Sequence, residues 1–256
     1  MPLPSWLLEI LRCPETHARL QLEGDHLTRP DGMTYSIVRG IPSLVYPQTL
    51  LSEDAKWQRF YDWFAPLYEL NEKFFGRLLL GLDMVQERTR IVSLLGLRQG
   101  MTTLEVSPGP GVYQRDIRAA IGSDARFAAV DLSLGMLTQC QKRHSALNVS
   151  LIQANGSHLP FADESFDALF HFGSVNLYDE PVQAIAEFVR VVRKGGIVSW
   201  GDEHLPATAP DGWKKRFLLR MNPGYLKLPP PIPTHLSNVK QTEVAGGYGY
   251  LVVANK

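Results

Sequence analysis

The stretch LEVSPGPGV, Leu104 to Val112, decides the fold. It reads as a short buried strand carrying one acid, Glu105, and it ends in a turn of glycines and prolines. The helical periodicity of GVYQRDIRAAIG follows at once, so the stretch opens a strand–turn–helix unit of a parallel sheet. In open sheets of that kind ligands bind beyond the carboxyl ends of the strands, which makes this turn the first place to look for one. The pyrophosphate-binding pattern G-x-G-x-x-G is absent. Ser107 stands where a first glycine is expected, and Pro108 and Pro110 stiffen the turn. Gly109 and Gly111 let the backbone approach a ligand where a Cβ would clash. Glu105 repels a pyrophosphate and suits a ligand with an ammonium group.

Outward from this turn the alternation continues. ARFAAVDL, NVSLIQA, FDALFHF and GGIVSWGD read as strands, and LGMLTQCQKRHS and EPVQAIAEFVRVVR as helices. Such alternation predicts an α/β domain whose parallel sheet is covered on both faces. The last stretch, NVKQTEVAGGYGYLVVANK, reads as two strands meeting at Gly246-Gly247, a favoured hairpin turn. On the other side, residues 1–48 are short apolar runs broken by EGD and RPDG, which suggests a small β-module. Residues 49–98 repeat apolar positions at helical spacing and read as a helical lid or linker, with Pro66 expected to break or kink the first helix. Residues 99–256 form the α/β domain.

The bulk numbers exclude little but are consistent. The 256 residues carry 26 basic and 26 acidic side chains, a net charge of zero, which offers no electrostatic argument for nucleic acid or an anionic membrane. With 45% hydrophobic and 20% charged residues the composition is ordinary for a globular protein. Two cysteines, Cys13 and Cys140, make no disulfide framework and fit a reducing compartment. MPLPSWLLEILRCPE is a poor signal peptide, and no apolar run approaches the roughly 20 residues that span a bilayer. A cytoplasmic protein with a small-molecule substrate, and with neither membrane nor nucleic-acid partner, is the expectation.

Asp131 ends FAAVD and lies where a carboxylate accepts both hydroxyls of a ribose. Asn155, after the next strand, has an amide oxygen able to accept from an adenine amino group. Ribose, adenine and an ammonium-bearing tail together describe S-adenosylmethionine. With these residues the chain resembles the class I S-adenosylmethionine-dependent methyltransferases, in particular the ubiquinone/menaquinone-biosynthesis branch. LEVSPGPGV, AAVDLSLGML, LIQANGSHLPFADESFDALF and AIAEFVRVVRKGGIV are similar to that family's four motifs, in order. The resemblance implies a Rossmann-like methyltransferase fold: a mostly parallel seven-stranded sheet with a C-terminal antiparallel hairpin. It implies that Glu105 and the Gly109 and Gly111 backbone hold the methionine end, Asp131 the ribose and Asn155 the adenine, with Ser107, Leu132 and Gly156 also at the cofactor. Tyr61 or Tyr68, on the preceding helical segment, would close over the cofactor or else pack the lid against the core. Ser107 and Asn155 depart from the family's usual glycine and aspartate.

Methyl transfer from a sulfonium needs positioning and at most a base. His171 and Tyr178 follow the fourth strand of the domain, and His204 follows the fifth in WGDEHLP. His204 is the candidate base because an imidazole titrates near neutrality, although a solvated loop accounts for it equally well. A place in the core is the simpler reading of His171. Asp202 and Glu203 alone give weak support for a metal-dependent O-methyltransferase. The N-terminal segment resembles a small zinc-ribbon module, but only Cys13 of its ligand pattern remains, with Thr16, Thr28 and Asp31 at other ligand positions. No metal is expected there. The module is expected to fold by Leu20, Tyr35, Ile37 and Ile41. The expected activity is methyl transfer to a small hydrophobic biosynthetic intermediate. The alternative is a protein that binds S-adenosylmethionine without methylating, cyclase-like or regulatory.

Overall fold

The computed structural model describes residues 3–50, 52–65, 83–206 and 211–256. The chain opens with helix α1 (Ser5–Ile10), followed by the strands β1 (Gln21–Glu23), β2 (His26–Thr28), β3 (Thr34–Val38) and β4 (Ile41–Pro42). These four pair antiparallel in sequence order, as a meander. Alternation sets which residues face inward. On β3, Tyr35 is buried and Ile37 half-buried, while Thr34, Ser36 and Val38 face solvent. Leu20 and Leu27 pack with them, whereas Ile41, expected in the same core, packs against Ala129, Leu137 and Leu151 of the large domain.

The residues compared above with a zinc-ribbon's ligand positions bond to other side chains. The Cys13 thiol lies 3.1 Å from the Tyr35 hydroxyl, and an Arg29 guanidinium nitrogen donates to it at 3.5 Å. Arg29 also pairs with Asp31 and Glu15, and the Thr28 hydroxyl donates to Glu23.

Helix α2 (Ser52–Phe64) ends two residues before Pro66, and α3 (Met84–Leu94) is capped by the Asp83 side chain. The second sheet follows. Strands β5 (Thr103–Val106), β6 (Phe127–Asp131), β7 (Ser150–Gln153), β8 (Phe166–Phe172) and β9 (Val192–Glu203) run parallel. Helices α4 (Gln114–Ile121), α5 (Leu134–Arg143) and α6 (Pro181–Val191) connect them; α7 (Trp213–Met221) follows β9. The hairpin of β10 (Ser237–Val244) and β11 (Gly249–Asn255) turns through residues 245–247, with Gly246 and Gly247 both at positive φ. The strand order is β10-β11-β9-β8-β5-β6-β7, and β11 is antiparallel to both neighbours. The seven-stranded, hairpin-closed sheet is therefore as expected. All four residues of β5 and the first four of β6 are buried, because helices cover both faces of the sheet.

The N-terminal module shares its core with this domain. Leu7, Leu11, Leu27 and Leu44 belong to one buried cluster with Leu104, Ile152, Phe161 and Trp200. The backbone joins them too. The Arg12 N–H donates to the Pro160 carbonyl, and the Leu44 N–H donates to the Gln153 carbonyl at 2.7 Å. Residues 43 and 44 thereby lie alongside β7 and cover the edge of the large sheet. No described helix is long and apolar enough to cross a membrane.

Candidate functional site

A cavity of about 190 Å³ opens at the carboxyl ends of β5, β6, β8 and β9. Its floor begins at the turn after β5. The Ser107 N–H donates to the Val130 carbonyl at 2.7 Å, which carries the chain across the top of β6. Ser107 then adopts φ +55°, a conformation that costs a non-glycine residue about 1–3 kcal/mol. Its hydroxyl lies 2.7 Å from that of Tyr178, and this bond across the cavity offsets part of the cost. Thus the residue that replaces the family's glycine keeps the glycine-like backbone and ties the turn after β5 to the loop after β8.

The two glycines have different jobs. Gly109 (φ +55°) lines the cavity, and its N–H donates to Asp131 Oδ2 at 3.0 Å. Gly111 does not line it. A Cβ there would stand 2.6 Å from the His144 ring and 2.9 Å from Cys140 Sγ, so Gly111 is required by packing against α5, and the expectation that its backbone meets a ligand is corrected.

Asp131 and Leu132 line the cavity. Asp131 Oδ1 accepts the Ser133 N–H at 2.9 Å, so each carboxylate oxygen is held by one backbone donor and retains a further acceptor site. Burial pushes its pKa up to about 6 against those two donors. Glu105 lies beneath the turn, buried, outside the cavity lining, with both oxygens unbonded. Burial pushes it up to about 8; the Gln114 amide opposes this and the charge of Asp131 adds to it.

Asn155 and Gly156 line the corner after β7. The Asn155 oxygen accepts the Ser157 N–H at 3.0 Å, and its amide nitrogen donates to Asp54 at 2.9 Å. The oxygen that was expected to meet adenine thus accepts within its own loop and keeps one further acceptor site. Gly156 accommodates Tyr178, whose hydroxyl would lie 2.6 Å from a Cβ at that position.

The three candidates for catalysis separate. His171 is fully buried; its Nδ1 bonds the Val106 carbonyl at 3.1 Å, and burial lowers its pKa to about 4. It is a neutral core residue that braces the end of β5, which corrects its catalytic assignment. Tyr178 does line the cavity, but burial raises its pKa, so it serves as a hydrogen-bonding hydroxyl and not as a base. His204 is off the cavity, and its N–H donates to the Tyr248 carbonyl. Its neighbour Glu203, the last residue of β9, lines the cavity instead. Burial and the adjacent Asp202 raise the Glu203 pKa, while the Asn222 amide donates to it at 3.1 Å. Asp202 accepts the N–H groups of Ser174, Asn176 and Glu203 and so anchors the loop after β8.

The cover is α2. Asp54, Trp57, Gln58 and Tyr61 line the cavity from one helical face, at spacings of three, four and seven. Three polar side chains dock the helix. Besides the Asp54–Asn155 bond, Gln58 donates to the Leu132 carbonyl at 3.1 Å, and Asp62 accepts from Ser133 Oγ and the Gly135 N–H at the start of α5. Tyr61 is therefore in the cover; Tyr68 lies outside the described residues. Asp54 and Gln58 were not singled out in the sequence, although their spacing from Tyr61 marks one helical face. No group of three or more His, Cys, Asp or Glu capable of holding a metal occurs among the described residues.

Residues 104–199 match a family model described as a methyltransferase domain. The chain is 34% identical over 113 residues to the demethylmenaquinone methyltransferase of Staphylococcus aureus (strain MRSA252), covering 43% of this chain and 46% of that protein. It is 30% identical over 118 residues to the phthiotriol/phenolphthiotriol dimycocerosates methyltransferase of Mycobacterium leprae (strain TN), covering 46% and 43%. The chain thus spans about half the length of the curated relatives it matches. A solved S-adenosylmethionine-dependent methyltransferase from Aquifex aeolicus shares the fold with a TM-score of 0.51 at 21% identity, over 70% of this chain and 92% of that one. Motifs, strand order and family model agree: residues 104–199 are similar to the methyltransferase domain, and the seven-stranded sheet has the Rossmann-like methyltransferase fold.

Proposed function

We propose that the protein transfers a methyl group from S-adenosylmethionine to a small, hydrophobic biosynthetic intermediate. The observation that carries this reading is the cavity itself. Its cofactor end offers Asp131 acceptors over a left-handed turn, and the buried carboxylate of Glu105 lies beneath that turn, behind the lining. Its other end offers Glu203 among the apolar surfaces of Tyr113, Phe172 and Leu177. When bound, the cofactor supplies a methyl group on a positively charged sulfur, so that a neutral or anionic acceptor atom is sufficient.

The residues of the chain do the rest. Asp131 accepts from the ribose hydroxyls. Glu105, ionised, balances the ammonium charge. Trp57 and Tyr61 present aromatic faces, which attract a cation and exclude water. Glu203, with its raised pKa, takes the proton of an acceptor hydroxyl or amine near neutral pH. The two relatives, named as methyltransferases of demethylmenaquinone and of phthiotriol dimycocerosates, are consistent with an apolar acceptor.

Calorimetry with S-adenosylhomocysteine, followed by incubation of labelled S-adenosylmethionine with a lipid extract, tests the reading. Micromolar binding and a labelled lipid product are expected. Absence of binding rejects the cofactor assignment, whereas binding without turnover in any extract rejects the enzyme and favours a non-methylating binding protein.

A further inference from the structure

Resting on that reading of the cavity, we propose that Asp54, a residue of the covering helix, is the side chain that selects adenine, by accepting a hydrogen from its exocyclic amino group. The corner after β7 holds one amide and one carboxylate, and the hydrogen bonds fix which does what. Asn155 is 3% exposed. Its oxygen receives the Ser157 N–H and its nitrogen donates outward to Asp54. Reversing the amide would aim its NH2 at the Ser157 N–H and its oxygen at a carboxylate, so the orientation is locked.

Asp54 lines the same corner and is 8% exposed. One of its oxygens accepts from the Asp179 N–H at 3.2 Å and the other from Asn155; each keeps a second lone-pair direction. Its backbone is held as well, since the Asp54 N–H donates to the Asp179 carboxylate at 3.0 Å. A carboxylate fixed at both ends, at the wall of the cavity, is an acceptor-only group. It favours a ring edge bearing an amino group and repels one bearing a carbonyl. An acid at position 155 would set two carboxylates against each other, so Asn155 and Asp54 form one acid–amide pair in which the acid comes from the cover.

The test compares binding of S-adenosylhomocysteine with that of S-inosylhomocysteine, in which a carbonyl replaces the amino group. The wild-type protein is expected to prefer the adenine compound by about tenfold or more, the scale of one satisfied against one unsatisfied polar contact. Asp54→Asn, which can turn an N–H toward the ring, is expected to abolish or invert the preference. The double variant Asp54→Asn with Asn155→Asp restores an acid–amide pair and is expected to recover it. An equal loss of both ligands in Asp54→Asn, with the ratio unchanged, would reduce Asp54 to a docking contact of the helix and overturn the proposal. Equal binding of the two compounds by the wild-type protein overturns it without any variant. Failure of the wild-type protein to bind either compound rejects the cofactor reading itself, a distinguishable result.

Discussion

The floor of the cavity and its cover are held in different ways. In the cofactor half, the turn after β5 is fixed by the next strand of the same motif series: Ser107 bonds Val130, and Gly109 and Ser133 bond Asp131. In the acceptor half, the loop after β8 hangs from Asp202 of β9 over a similar separation, 26 to 28 residues along the chain, whereas the cover reaches Asn155 at the adenine corner from Asp54, 101 residues before it. Contacts that are local in sequence leave motifs. Contacts that are distant leave isolated polar residues with no pattern around them.

Each half can be broken separately. The largest effect is expected from Glu203→Gln, which removes a base but keeps the Asn222 contact sterically possible: turnover should fall by about 10²–10³ while the Kd for S-adenosylhomocysteine stays within about twofold. In the wild-type protein the rate should fall with decreasing pH as the raised Glu203 carboxyl takes up its proton. Asp131→Ala acts on the other half and should weaken cofactor binding by about 100-fold in calorimetry, the cost of two charge-assisted hydrogen bonds.

Asp202→Ala strips the acceptor from three backbone donors and should cost about 3 kcal/mol in denaturant unfolding, with the loop after β8 the first segment to exchange its amide hydrogens. Glu105 gives a proton count. Its folded pKa lies above its ordinary 4.5, so the ligand-free protein holds a proton that the unfolded chain releases, and stability should decline as pH rises from about 4.5 to about 8. A ligand ammonium group requires the ionised form. Binding at pH 7 should therefore release close to one proton, read from calorimetry in buffers of different ionisation enthalpy, and Glu105→Gln should abolish that release. The smallest effect is expected from Ser107→Gly, where relief of the left-handed backbone and loss of the Tyr178 bond oppose each other, leaving less than about 1 kcal/mol in thermal melting.

This division also explains what was legible in advance. The strands, the terminal hairpin and the positions of Asp131 and Ser107 followed from alternation and from residues close together in the chain. His204 did not, because the end of β9 and the side its last residue faces decide between Glu203 and His204, and a shift of one residue reverses the answer. Gly111 was read as an approach for a ligand, but the side chains that crowd it, Cys140 and His144, belong to a helix that no local pattern connects to the turn. Asn155 was assigned by its place in the motif, and the hydrogen bonds from Ser157 and to Asp54 change what it offers.

The strip of N-terminal chain laid along β7 has a consequence for how the protein is made. Ser43 bonds Gln153, a partner 110 residues later in the chain. Leu7, Leu11 and Leu44 therefore complete their native packing only once β7 and Phe161 have been synthesised. Their closure onto the sheet is a high-contact-order event, slow in comparison with local helix formation. During that interval both the module and the bare edge of β7 are aggregation-prone, and chaperone dependence in the cell should track this early segment more than the methyltransferase core.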